Sequence, residues 1–283
     1  EKLALPGATV VKGAEGVMLT RQGPLPGSAS WTHQYGDVAN SVKSDDTLVK
    51  MPLGLLWFGG NSNVDVLPRH GHGPPEQVIG GRLFIEGMDC ISARDVYTGR
   101  ILWKTQLGDL ETFNVYYDKT YQDAPTNTAY NQVHIPGANA RGTNFVATLD
   151  RVYILQGSQC HVLDATTGER VATFDAPAQG GEAPDWGYIG VYEDTLVLGC
   201  GRVPFSSLPT NGEMNAKEQE TYNDFWRYDV TASRDLIAMD RHTGDVRWKA
   251  TARHGFLHNG MAIGNGTVFC LDRRPPQVED FFR

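Results

Sequence analysis

Short apolar runs broken by turn residues recur along the chain, and three stretches carry the same punctuation. Between Arg82 and Lys104 an apolar run (LFIEG) leads through a turn to a second run ending at Asp95. Tyr97-Thr98-Gly99 follows, then a third run closing on Trp103. The order returns in VYILQGSQCHVLDATTGERVATF, with Asp164, Thr167 and Gly168, and in DLIAMDRHTGDVRWKA, with Asp240, Thr243, Gly244 and Trp248. From aspartate to glycine is four residues in every copy, and from aspartate to tryptophan eight in the first and third. Ala172 holds the tryptophan's place in the second copy, with Phe174 close by as its substitute.

Short runs rich in Val, Ile, Leu and aromatics predict strands, and Thr-Gly predicts the tight turn, because glycine tolerates the positive φ that a short hairpin requires. The copies lie 69 and 76 residues apart. A unit of that size cannot bury its own faces, so the pattern predicts an array of sheets packed on one another.

Around these units the same signals extend. Ala8 to Lys12 and Gly16 to Gln22 read as strands, and Gly54 to Phe58, closing on Trp57, as the outer strand of an earlier unit. QVIGGRLFIEG gives two strands across a Gly80-Gly81 turn. The second unit runs from about Arg141 to Phe174 and the third starts at Trp186. A fourth begins at GFLHNGMAIGNGTVFCLD and stops without a Thr-Gly turn. The chain thus holds three full units and a partial one at each end, interrupted by insertions at 108–138 and 202–232. The segment Asn215 to Phe225 reads as a loop or one short helix.

Composition sharpens this reading. Thirty-two glycines and 15 prolines in 283 residues suit a turn-dense all-β chain. A net charge of −8 argues against nucleic acid or an anionic membrane as partner. No apolar run approaches the length needed to span a bilayer. Cys90, Cys160, Cys200 and Cys270 show neither zinc-knuckle nor haem-attachment spacing; they read as small buried hydrophobes, with disulfides as the alternative. A chain that begins Glu1-Lys2 reads as processed or as a fragment.

The segments LDATTGE and MDRHTGDVRW resemble the tryptophan-docking repeat of the PQQ-like (quinoprotein) β-propellers. WTHQYGDVANS, ahead of PLGLLWFGG, looks like the lead-in to their first blade. PRHGHGP, DVYTGR and GFLHNGMAIGNG are similar to large secreted bacterial members of that group. The resemblance implies a β-propeller of four-stranded antiparallel blades, part of a larger seven- or eight-bladed ring, with a WD40-like architecture. Its remaining blades would lie on the same or another chain. It also implies a periplasmic or secreted location, and structural roles for Trp57, Trp103 and Trp248 and for the turns of Asp95, Asp164, Asp240, Gly99, Gly168 and Gly244.

Residues just upstream of each innermost strand would share one face of the channel. They are Arg69, His70 and His72; His134, Asn139, Arg141 and Asn144; Asp185, Trp186 and Tyr188; and His254, His258 and Asn259. Of these, Arg69, His70, His72, Arg141, Asn144, Trp186, His258 and Asn259 are the candidate ligand-binding set. Structural hydrogen bonding to buried backbone is the competing role. His70 and His72, with His258 or His134, could also hold a metal.

Two functions follow. One is a ligand-binding or protein-interaction scaffold outside the cytoplasm, with a protein or a small polar ligand as partner. The alternative is a PQQ-dependent dehydrogenase that uses calcium and oxidises an alcohol or sugar. The adjacent cysteines of such enzymes are missing here, and no motif places their calcium ligands or catalytic aspartate.

Overall fold

A computed structural model describes residues 8–59 except 22, 65–66, 74–116 except 88, 109 and 113–114, 142–203 except 179, and 231–273. Arg69, His70, His72, His134, Asn139 and Arg141 fall outside these residues, as does Asn215 to Phe225.

The chain is all-β and antiparallel. A hairpin of β1 (Thr9–Gly13) and β2 (Gly16–Thr20) comes first. The first blade consists of β3 (Gln77–Ile79), β4 (Arg82–Gly87), β5 (Cys90–Asp95) and β6 (Ile101–Gln106), paired in that order. A small pair, β7 (Glu111–Thr112) and β8 (Val115–Tyr116), opens the first insertion. The second blade is β9 (Phe145–Ala147), β10 (Arg151–Gln156), β11 (Gln159–Asp164) and β12 (Arg170–Asp175). The third is β13 (Trp186–Tyr192), β14 (Thr195–Arg202), β15 (Ala232–Asp240) and the long β16 (Val246–Gly264), which goes on to pair with β17 (Thr267–Asp272).

The fourth unit is therefore continuous with the third. β16 serves as outer strand to β15 and then, past a register shift between Phe256 and Met261, as inner strand to β17. Asp272 secures the junction by accepting the backbone N–H groups of Arg253, His254 and Gly255 at 2.7, 2.8 and 3.0 Å. Gly54 to Phe58 is not a strand. Trp57 nevertheless reaches the first blade, where its indole N–H donates to the Val96 carbonyl at 2.9 Å.

The three turns are built alike. Asp95, Asp164 and Asp240 each accept the backbone N–H groups two and three residues on through Oδ1, at 2.8 to 3.1 Å. The N–H of Gly99, Gly168 or Gly244 returns to the aspartate's own carbonyl, with φ of 71°, 75° and 78°. An aromatic ring from an earlier stretch of the chain covers each glycine. Trp57 lies on Gly99, and a Cβ on Gly168 or Gly244 would sit 2.5 Å from Trp103 or Phe174. Only a residue without a side chain admits a ring so close to its backbone. Buried apolar clusters join the first blade to the second around Phe84, Trp103 and Ile154, and the second to the third around Tyr153, Phe174 and Leu198.

Candidate functional site

Across the inner strands runs a strap, residues 31–43, which contacts three of the four units. Trp31 exchanges two 2.7 Å backbone hydrogen bonds with Val78 of β3. His33 Nε2 accepts the Val191 N–H of β13 at 3.2 Å. The Val38 carbonyl accepts from Ile263 of β16 at 2.9 Å, and the Asn40 amide donates to the Met261 carbonyl at 2.6 Å. Asp37 shapes the strap's bend, accepting from Ala39 N at 2.9 Å and from Ser41 N and Oγ at 3.1 and 2.6 Å.

Between strap and inner strands lies a cleft of about 30 Å³, lined by His33, Tyr35 and Asn40 of the strap, Thr143 ahead of β9, Tyr188 of β13, and His258 and Asn259 of β16. Gly142 lets the blades close around it: a Cβ there would lie 3.3 Å from the Tyr188 ring and 3.7 Å from His258 Cβ. The Tyr188 and His258 rings stand 5.9 Å apart, tilted by 39°. Beneath them the fully buried Ser233 Oγ shares a 2.8 Å hydrogen bond with His258 Nε2, and the His258 N–H donates to the Thr231 carbonyl at 2.9 Å. Gly199 leaves the room that Ser233 occupies.

Two of the lining groups are held neutral near pH 7. Burial pulls His33 down to about 4, against a smaller opposing pull from Asp37, so it is a neutral imidazole at pH 7. Nε2 accepts from Val191, which leaves the proton on Nδ1, 2.8 Å from Thr32 Oγ1. Burial also raises the Tyr188 hydroxyl well above its ordinary value. Acceptors, donors and two ring faces around a small cleft suit one hydrogen-bonding polar group.

Of the residues named from sequence ahead of the inner strands, the cleft brings together Tyr188, His258 and Asn259, the last two from the candidate ligand-binding set. Asn144 is fully buried elsewhere, its amide donating to Glu86 Oε1 of the first blade at 3.1 Å. Trp186 is fully buried in the apolar cluster between the second and third blades. Sequence reasoning missed His33, Tyr35 and Asn40. Their one signal was the polar and aromatic density of WTHQYGDVANS, in a segment with no strand periodicity.

A quinone with calcium does not fit this cleft. Its volume is about 30 Å³, whereas pockets for ligands of that size run to roughly 300 Å³ and more. Among the described residues lining the cleft there is also no carboxylate for a hard cation. Among the described residues no three His, Cys, Asp or Glu side chains gather as a metal set. Cys90, Cys160, Cys200 and Cys270 are all unpaired thiols.

No family model and no curated protein matches the chain. Solved structures similar to it include the quinohemoprotein alcohol dehydrogenase from Comamonas testosteroni, at 15% identity and TM-score 0.43 over 79% of this chain and 27% of that one. A europium-containing methanol dehydrogenase matches at 16% and 0.44, over 79% and 32%. BamB from Moraxella catarrhalis matches at 15% and 0.35, over 71% and 48%. The chain thus spans less than half the length of these proteins. At such scores the likeness adds nothing to the fold read from the sheets themselves.

Proposed function

We propose that the chain is an extracytoplasmic, propeller-type scaffold that binds a ligand or partner through a neutral polar group seated in the strap cleft. Residues 1–283 are taken as one propeller or part of one, with the insertions at 108–138 and 202–232. One observation carries the proposal: strap, second, third and fourth units, far apart in sequence, converge hydrogen-bonding side chains on a single cleft. No helix among the described residues is long and apolar enough to cross a membrane. The periplasmic or secreted location rests on the repeat resemblance.

Titration with neutral polyols and carboxamides, followed by protein NMR, tests it. The expected result is saturable shifts confined to residues around His258 and Asn259, weakened at least tenfold by Asn259→Ala and by His258→Ala. Equal affinity in wild type and both variants would remove the cleft from consideration. Dye reduction with added PQQ and calcium, unaffected by those variants, would transfer the chain to the dehydrogenases.

A further inference from the structure

Arg94, near the end of β5, is 1% exposed and among the largest fully buried side chains. Its neighbour Ala93 packs with Phe84 and Trp103 in the cluster shared with the second blade. Strand alternation turns Arg94 to the opposite face of the sheet. There it stands across from Leu83, and the next pair on that face is Ser92 with the buried Ile85. Two of its nitrogens, Nε and Nη2, are buried with no hydrogen-bond partner. Among the described residues, Asp65 and Glu76 act on the guanidinium through space only, and Asp65 is engaged by the Lys104 ammonium. Burial pulls the arginine's pKa below its ordinary value, against a smaller upward pull from Asp65, yet a guanidinium keeps its proton at any physiological pH. A charge so enclosed and so unmatched is costly unless an anion meets it.

The geometry points to a binding site for a small monocarboxylate, of the size of formate or acetate, on the Nε–Nη2 edge of Arg94. Those two nitrogens carry the parallel N–H bonds with which arginine holds a carboxylate in bidentate fashion, so the two groups left without partners are the two such a ligand would take. Charge decides against phosphate. Arg94 brings one positive charge, and Lys104, which lies across from Ser92 on the same face, is already matched by Asp65. A dianion would bury a second charge with nothing to balance it. Size decides against a bulky acid or a carboxylate carried on a partner's side chain, because the chain itself encloses the arginine. Entry is beside the Lys104–Asp65 pair, whose side chains are 34 and 13% exposed. The inference is independent of the strap cleft, whose lining comes from the strap and the other units.

The test follows the Arg94 Nε–H resonance in the ¹⁵N-labelled 283-residue chain, assigned by its loss in Arg94→Met and in Arg94→Lys. Sodium formate, acetate, citrate or phosphate replaces sodium chloride at constant ionic strength and neutral pH. Formate and acetate should shift the resonance saturably. They should also raise the thermal midpoint, by roughly 5 °C at about one hundred times the dissociation constant. Citrate and phosphate should do neither. Arg94→Lys keeps the charge without the planar edge, so its midpoint should need at least about tenfold more formate for the same rise. In chloride alone Arg94→Met should be no less stable than wild type, since it removes a buried charge that nothing matches. A lower midpoint there would reveal a partner within the chain and overturn the inference. So would a formate response that survives in Arg94→Met, or a phosphate response equal to that of formate. An Nε–H resonance indifferent to every anion would overturn it too, and would leave the guanidinium to water alone.

Discussion

The Tyr153 hydroxyl donates to the Arg241 carbonyl at 3.0 Å, and that carbonyl is the counterpart of those bound by Trp57 and Trp103. The indoles reach Val96 and Ala165, each one residue past its turn aspartate, at 2.9 and 3.1 Å; Arg241 stands one past Asp240. In the second blade, where no tryptophan is present, Phe174 supplies the ring over Gly244 and Tyr153 supplies the hydrogen bond. Two residues divide one side chain's work. Tyr153→Phe should therefore cost about 1 kcal/mol, the usual worth of one hydrogen bond, and Phe174→Ala about 3–5 kcal/mol through the cavity it opens. Urea midpoints at constant m would read both.

The same tyrosine has a pH signature. Burial pushes its hydroxyl up to about 12 from an ordinary value near 10. Between those values the unfolded chain loses a proton that the folded chain keeps, so folding stability falls as pH rises through the window and is complete below it. Tyr153→Phe should be flatter than wild type over that range in paired urea titrations. Identical slopes would show that the hydroxyl already ionises in the fold.

Gly168 has little freedom to change. Its φ of 75° lies in the left-handed region, and a Cβ would stand 2.5 Å from the Trp103 ring and 2.7 Å from Thr105 Oγ1. Gly168→Val should destabilise by roughly 2–4 kcal/mol, combining backbone strain with displacement of the indole. Trp103 emission should move to the red as the ring is pushed into water. A normal midpoint with unshifted emission would mean that the ring does not rest on the turn.

The blades were legible because their signals are local. Asp95 to Gly99 carries its turn chemistry within five residues, and Trp103 and Phe174 lie on the strand that follows each turn. Gly54 to Phe58 misled because an apolar run ending in tryptophan looks like a strand. Trp57 docks from an irregular segment instead, its indole finding Val96 across 39 residues. The strap was invisible for the opposite reason. Asn40 meets Met261 across 221 residues and His33 meets Val191 across 158, and no periodicity encodes contacts of that range. Trp186, read as a ring at the channel mouth, lies one residue after Asp185 at the start of β13, and strand alternation turns it into the core between blades.

His33 makes the strap acid-sensitive. Its buried imidazole is held neutral, with a folded value of about 4 against 6.5 for the free side chain. A depressed histidine contributes stability that is complete above 6.5 and is lost as pH falls toward 4, because the unfolded chain takes up the proton first. The shift sets a ceiling of roughly 3 kcal/mol on that loss. His33→Gln should remove most of the acid slope while lowering stability at pH 7. The protection factor of the Val191 amide, whose N–H the imidazole accepts, should fall in wild type below about pH 5 and be low at every pH in the variant. A Val191 protection factor that ignores pH would detach the strap from this histidine.

Ser233 is a positioning residue for the cleft. It is fully buried, its Oγ bonded to His258 Nε2 at 2.8 Å, with no space for a larger side chain against Gly199. Ser233→Ala removes that bond in a buried setting, at a cost of about 1–3 kcal/mol, which a purely structural serine would show equally. The distinguishing readout is the imidazole's own state. With Ser233 present, His258 should show the ¹⁵N shifts of a single tautomer; in Ser233→Ala the two ring nitrogens should move toward averaged values, and Asn259 cross-peaks, one residue away at the cleft, should broaden with them. Unchanged ring shifts alongside a full loss of stability would assign Ser233 to packing alone and leave His258 oriented by its backbone bond to Thr231.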